Sequence, residues 1–382
     1  MTPAARVQAS IEILDRILDG TPAEKALTGW ARSSRFAGSK DRAAIRDHVF
    51  DALRQWNSAA ALGGASTGRA LMIGLLRLQN VGLADVFSGA TYAPATLIEG
   101  EDTVEVSQLP HDVPAWVLEK LEASLGAKTE QTLRDLRQRA PITLRVNLSK
   151  LSRTEAQRQL MADGIETEMM DLANGALCVT AGARRIRQSA LYLDGVIELQ
   201  DAASQAMVEA LPISEGMKIL DYCAGGGGKT LAMAGHVDGR FFAYDIAPHR
   251  MVDLPARAER AGVQVTLTDA PVDSAPYDLV LCDAPCSGSG TWRRTPDAKW
   301  RFTPERLGEL IETQAEILTT AKNLVATGGA LAYATCSFLK EENMDQIQAF
   351  LSRHKDWTLE WSHQYGFEEG GDGFFGAVLR KS

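Results

Sequence analysis

The chain has 382 residues, 45% hydrophobic and 23% charged, the balance of ordinary globular domains and enough length for two or three of them. A net charge of −9 argues against non-specific coating of nucleic acid, which is dominated by phosphate neutralisation, though it leaves room for local basic tracks. No apolar run approaches the ~18 residues that would span a bilayer. The opening "MTPAARVQASIEILDRILDG" lacks an apolar signal core, so a cytoplasmic protein with no membrane association is expected.

The first part of the chain reads as helices. Ile11, Leu14, Ile17 and Leu18 fall at helical spacing and Gly20 stops them. Thr21 as N-cap, Pro22 at N1 and Glu24 closing a capping box predict the next helix. Ile45, Val49, Leu53 and Trp56 predict another after Ser39, and "TGRALMIGLLRLQNVG" one more. The periodicity lapses over 91–110, a candidate linker. Then "PAWVLEKLEASLG" predicts a helix opened by Pro114 and closed by Gly126. "PITLRVN" reads as a strand, "SRTEAQRQLMADG" as a helix, and "ALCVTA" and "VIELQ" as strands, together a small α+β sandwich. The expected organisation is a helical domain over 1–105, the α+β module over 106–200 and a third domain over 201–382.

That third domain repeats a strand–helix rhythm. Its predicted strands are "MKILDY", "RFFAYDI", "VQVTLTD", "YDLVLCD", "GALAYATCS", "WTLEWS" and "FFGAVLRK". Apolar strands alternating with amphipathic helices predict an α/β fold, a mostly parallel sheet covered on both faces. In such sheets ligands sit beyond the carboxyl ends of the strands.

"LDYCAGGGGKTLAMAG" puts four glycines between the first of those strands and a helix. A P-loop would fit its end at Gly228, Lys229 and Thr230, but Cys223 holds the place of its opening glycine. A dinucleotide fingerprint is met only loosely, and a plain tight turn or a loop for a nucleoside cofactor are the other options. Asp221, Asp245, Asp269 and Asp283 each fall at the tip of a successive strand. Such acidity disfavours a pyrophosphate and favours S-adenosylmethionine, whose ribose hydroxyls and ammonium it could bind.

Five scattered cysteines, Cys178, Cys223, Cys282, Cys286 and Cys336, make no disulfide framework, and without a second close pair or clustered histidines no metal site is expected. Two of them stand apart. Cys286, in "DAPCSGSG", lies just past the fourth strand, and Cys336, in "YATCS", at the end of the fifth. If those strands are neighbours, both thiols reach one rim, and Lys229, Arg293 and Arg294 are cations that could activate them. Packing at two strand ends is the plain alternative. Methyl transfer to oxygen or nitrogen needs no thiol. C5 of a pyrimidine does, because it becomes nucleophilic only after a thiolate adds to C6. Asp283 is placed to assist that addition at N3.

At this point the sequence resembles the Nol/Nop/Sun family of RNA cytosine-5 methyltransferases, in its bacterial small-subunit rRNA branch. The resemblance covers about 110–381 and rests on "ELQDAASQ", the glycine loop, "DAPCSGSG", "RRTPDAKW", "ATCSFLKEEN" and "DGFFGAVLRK". It implies a class I, Rossmann-like methyltransferase sheet of seven strands, preceded by a small RNA-recognition-like α+β module. The N-terminal helices are similar in kind to the antitermination-factor-like RNA-binding domain of that branch. The resemblance implies that Cys336 is the nucleophile on C6 and that Cys286 helps release the product, with Asp283 and Lys229 as catalytic partners. It assigns S-adenosylmethionine to Cys223, Ala224, Gly225, Gly226, Gly227, Gly228 and Lys229, with Asp245, Arg250, Asp269 and Asp283. Arg293 and Arg294 are candidate RNA contacts. The implied protein is a monomer acting on rRNA, with tRNA as alternative substrate and a non-catalytic assembly factor or a DNA enzyme as competing readings. One departure is clear: where the family commonly has "CAAPGGK" this chain reads "CAGGGGK", so Gly225 and Gly226 should leave the turn less rigid.

Overall fold

The computed structural model describes residues 1–101, 104 and 106–382. Its contacts divide the chain into two compact units, residues 1–139 with 292–302, and residues 140–291 with 303–382.

The first unit is helical: α1 (Pro3–Leu18), α2 (Ala23–Ser33), α3 (Ser39–Arg54), α4 (Trp56–Gly63), α5 (Gly68–Leu78), α6 (Ala115–Leu125) and α7 (Thr129–Leu136). Ile13, Leu14, Val49, Leu53, Leu71 and Met72 are fully buried and form its core, the faces that the 3.6-residue periodicity marked out. The expected cap of α2 is not made. Pro22 occupies the N-cap position without a side-chain bond, so Glu24 falls at the second helical residue, too early to close a capping box. Instead the Ala23 N–H donates to Asp297 Oδ2 at 3.3 Å. The segment 292–302 supplies more such contacts. Trp300 Nε1 donates to the Leu53 carbonyl at 2.7 Å and Lys299 Nζ to the Arg54 carbonyl at 2.9 Å. Arg54 Nε in turn donates to the Arg293 carbonyl at 2.9 Å. The open carbonyls at the end of α3 are thus satisfied from far along the chain. The stretch before α6 and α7 is tied to α4, because Asp112 accepts from the Ser58 N–H and Oγ and pairs with Arg137 at 2.8 Å. That is why α6 and α7 cluster with the helices.

The second unit holds two sheets. The smaller comprises β1 (Ile142–Val146), β2 (Glu166–Met169), β3 (Ala176–Ala181) and β4 (Ile197–Leu199), antiparallel in the order β2-β3-β1-β4, with α8 (Arg153–Ala162) and α9 (Ala190–Leu193). Leu144, Val146, Leu160, Ile165, Leu177 and Ile197 fill its core. β2 was not expected. It is an edge strand whose one buried side chain, Thr167, is polar, so it carries no apolar alternation.

The larger sheet follows α10 (Ala202–Glu209). Its elements are β5 (Lys218–Asp221), α11 (Gly228–Ala234), β6 (Arg240–Ala243), α12 (Leu254–Ala261), β7 (Val265–Leu267), β8 (Tyr277–Asp283), β9 (Val325–Thr335), β10 (Trp357–Tyr365) and β11 (Phe374–Lys381). Between β8 and β9 come α13 (Pro296–Arg301), which belongs to the helical unit, and the long α14 (Pro304–Ala321); α15 (Met344–Arg353) precedes β10. The strand order is β10-β11-β9-β8-β5-β6-β7, with β5 to β9 parallel to one another and β11 running antiparallel between β9 and β10. This is the seven-stranded, class I methyltransferase-like sheet expected. Ile219, Leu220, Leu279, Val280, Leu281 and Leu331 are fully buried, because strands covered on both faces must be apolar throughout. After β5 the chain winds one way to β6 and β7, then returns to β8 and β9 on the other side. The crevice lies at that reversal. Among the described residues no single helix is long and apolar enough to cross a membrane.

Candidate active site

Beyond the carboxyl ends of β5, β6, β8 and β9 lies a cleft of about 730 Å³, within the ~300–1,000 Å³ range of small-molecule sites. Its first wall is the glycine loop. Gly225 and Gly227 adopt left-handed φ values of +52° and +75°, a region glycine enters without the steric cost borne by other residues. At Gly227 a Cβ would stand 2.3 Å from Leu254 Cδ1, so close packing on α12 demands glycine there. Cys223, Ala224, Gly225, Gly226, Gly228 and Lys229 line the cleft; Gly227 turns toward α12 instead.

Asp245, just past β6, is buried and anchors this loop. Its carboxylate accepts from the Gly225 N–H at 2.8 Å, the Ala247 N–H at 2.9 Å and Arg250 Nη1 at 3.0 Å. The neighbouring Ile246 is 88% exposed and borders the cleft, an apolar face offered to a ligand. The four strand-tip acids do not converge as a ring. Asp245 and Asp283 line the cleft, whereas Asp269 is exposed and lies outside its lining. Asp221 lies beneath the loop, where its Oδ2 accepts from Thr230 Oγ1 at 2.7 Å and burial pushes its carboxyl up to about 7.

Lys229, at the start of α11, points its ammonium across the strand ends. Its Nζ is 2.6 Å from Asp283 Oδ2 and 4.9 Å from the centre of the Phe374 ring. Burial alone would favour the neutral amine, but the Asp283 carboxylate outweighs it and holds the pKa above its ordinary value.

β8 and β9 pair directly, with Asp283 opposite Ala334, so Cys286 and Cys336 meet on one rim with Sγ atoms 3.4 Å apart. The two thiols are not equivalent. Cys336 is held below its ordinary pKa by the hydrogen bond from Cys286, against the cost of burial and the repulsion of Asp283, with help from Lys229 and Thr291. Cys286 is pushed up, first by that same bond, then by burial and by the charge of Glu342. The pairing favours ionisation of Cys336 over ionisation of Cys286. Cys282 is wholly buried in the sheet, the environment of a packing cysteine, whereas Cys223 is half-buried in the glycine loop and lines the cleft; burial raises both thiols.

Among the candidate cations, Lys229 lines the cleft and bears on Cys336. Arg293 is buried within the helical unit and Arg294 half-buried there.

Four polar residues escaped the sequence reading. Glu342, with no solvent exposure, accepts from the Ser287 N–H at 2.7 Å, Ser287 Oγ at 2.5 Å, Ser337 Oγ, and Gln314 Nε2 at 3.2 Å. The signal was present: a serine follows each of the two cysteines, in "PCS" and in "TCS".

Comparison with known proteins agrees with this architecture. Residues 208–378 match the 16S rRNA methyltransferase RsmB/F family, and residues 113–184 the ferredoxin-like domain of RsmF/B-like methyltransferases. The chain is 30% identical over 395 aligned positions to ribosomal RNA small subunit methyltransferase B of Yersinia pestis, covering 90% of this chain and 91% of that one. The crystal structure of PH0851 has the same fold, with a TM-score of 0.76 and 24% identity over 100% of this chain and 99% of that one. A methyltransferase homolog protein from Pyrococcus horikoshii aligns with a TM-score of 0.61 and 25% identity, covering 69% of this chain and 94% of that one.

Proposed function

We propose, from the premise that this chain belongs to the RsmB/F family of S-adenosylmethionine-dependent small-subunit rRNA methyltransferases, that it methylates C5 of a cytosine in ribosomal RNA. The observation that carries the proposal is the pair of thiols 3.4 Å apart on the rim of the cofactor cleft, with Cys336 held below its ordinary pKa. Neither oxygen nor nitrogen methylation calls for such a pair.

The cleft fits the cofactor. Its glycine turn keeps side chains out of the way at Gly225, its anchored acid is Asp245, and Ile246 offers an apolar surface to a purine. In this reading the Cys223–Lys229 loop, Asp245, Arg250 and Asp283 would hold it. When bound, S-adenosylmethionine supplies an electrophilic sulfonium methyl. The remaining chemistry belongs to the chain. The Cys336 thiolate adds to C6 of a cytosine unstacked from its RNA, and the C5–C6 π electrons move toward N3. Asp283, paired with Lys229, is the carboxyl group positioned to share a proton with N3 as charge grows there. C5, now enamine-like, accepts the methyl. Loss of the C5 proton re-forms the double bond and expels Cys336, a step Cys286 assists. Helices α1 to α5 serve as the RNA-binding element in this account.

Incubating the protein with methyl-tritiated S-adenosylmethionine and separate pools of rRNA, tRNA and DNA tests the proposal. Label recovered as 5-methylcytosine from rRNA is the expected result. Label confined to tRNA would move the substrate, label in DNA the polymer, and no label at all would leave an RNA-binding assembly factor.

A further inference from the structure

Each of the two cysteines is followed by a serine, and both serines end on one buried carboxylate. Glu342 lies in the turn after β9, and its two oxygens receive four donors. Ser287 contributes both its N–H and its hydroxyl, fixing the loop immediately after Cys286. Ser337 contributes its hydroxyl from the position after Cys336. Gln314, fully buried on α14, donates to Glu342 and also to the Pro285 carbonyl at 2.9 Å. The backbone is therefore held on both sides of Cys286. Ser337 Oγ lies a further 3.2 Å from Ser287 Oγ and 3.0 Å from Ser289 Oγ, so the two loops are also joined hydroxyl to hydroxyl beside this carboxylate. The floor beneath it is equally fixed: Tyr333 Oη donates to the Glu342 carbonyl at 2.7 Å, and Asn343 Nδ2 to the Ser337 carbonyl at 2.9 Å.

A buried carboxylate is costly unless its lone pairs are filled, and four donors fill them. Those donors come from three places far apart in sequence. Hydrophobic packing of the sheet would bring β8 and β9 together without fixing two loop sulfurs to within a fraction of an ångström, and catalysis depends on such positions. We propose that Glu342 is a positioning residue that sets the spacing of the Cys286–Cys336 pair by holding Ser287 and Ser337 on one carboxylate. Its charge has a second consequence. Behind the bond to Cys336 and burial, the Glu342 charge further disfavours ionisation of Cys286 and so biases the charge toward Cys336. Lys229, Asp283 and the buried Tyr333 hydroxyl are the other ionisable groups facing the pair. The inference rests on the two-cysteine chemistry proposed above.

Glu342→Gln keeps the shape and removes the charge; Ser287→Ala and Ser337→Ala each remove one strand of the clamp and serve if the first variant folds poorly. Glu342 is not among the residues lining the cofactor cleft. The expected result for Glu342→Gln is a fall in kcat of roughly tenfold or more, the scale seen when groups supporting a reactive centre are lost, with KM for S-adenosylmethionine unchanged. Peptide mapping after brief iodoacetamide treatment should show label at Cys336 in the unaltered protein and a severalfold larger share at Cys286 in the variant. A purely structural role would lower kcat without moving that partition. Combining Ser287→Ala with Glu342→Gln should cost less than the sum of the two single losses, since both weaken the Ser287 Oγ–Glu342 contact. An unchanged label partition, or independent losses in the double variant, would overturn the proposal. Loss of all methylation in Cys336→Ala in the same assay keeps such a failure separate from failure of the cysteine mechanism itself.

Discussion

Replacing Cys286 by alanine removes a single S–H donor from beside Cys336 while leaving Lys229 and Asp283 in place. The lost contact is the 3.4 Å approach of the two sulfurs, the largest of the influences that lower the Cys336 thiol. A hydrogen bond to a charged group contributes about 1.5–3 kcal/mol, and a sulfur donor belongs at the low end. At about 1.4 kcal/mol per factor of ten in an equilibrium, losing this bond should raise the Cys336 thiol in Cys286→Ala. The sign follows from the bond's preference for the ionised form: what stabilises the thiolate depresses the pKa, and its removal restores it. Below that pKa the thiolate fraction then drops about tenfold. The pH dependence of Cys336 alkylation, followed by peptide mass spectrometry, reads this directly. A Cys336 profile that stays put or moves to lower pH in the variant would refute the reasoning, because Cys286 would then not be the donor.

Three further outcomes are expected. Cys336→Ala should abolish both methylation and any protein–RNA adduct, whereas Cys286→Ala should accumulate an SDS-resistant adduct; exchanged phenotypes on a denaturing gel would reverse the two roles. Gly227→Ala forces a Cβ into a left-handed turn, 2.3 Å from Leu254 Cδ1. It should cost roughly 2 kcal/mol or more in stability and weaken S-adenosylmethionine binding, and an unchanged urea midpoint with unchanged affinity by calorimetry would contradict that packing. In the helical unit, burial holds the Lys299 ammonium down to about 7 from an ordinary 10.5. The unfolded chain therefore binds the proton more readily between those values, so this group penalises folding increasingly as pH falls from 10.5 toward 7. Unfolding titrations should show the stability gap between Lys299→Met and the unaltered protein changing in the variant's favour over that interval, and a constant gap would contradict the burial.

The central strands of the large sheet, β5, β8 and β9, were legible because they are apolar runs and the helices between strands carry 3.6-residue stripes; both patterns come from burial. The two thiols and the glycine loop were legible because strand ends in such sheets face one crevice. What the pattern could not supply was the tertiary partner. Thr21 and Glu24 carry every local mark of a capping box, yet the Ala23 N–H found Asp297, 274 residues away. The four strand-tip aspartates look alike in sequence, but a one-strand shift puts Asp269 at the edge and leaves Asp221 under the loop. β2 lacks alternation because it lies at an edge. Glu342 stood inside the "KEEN" stretch, indistinguishable from its neighbour Glu341 until two loops closed over it.

The central claim, a bond from Cys336 to C6 of the target base, is tested most directly with substrate RNA carrying 5-fluorocytosine. Fluorine at C5 cannot leave as a proton does, so the enzyme should stall with its sulfur attached once the methyl has moved. Digestion and tandem mass spectrometry should place the nucleotide on the peptide containing Cys336, with S-adenosylmethionine required. A nucleotide on Cys286 or on any other residue, or methylated RNA released with no adduct formed, would contradict the account.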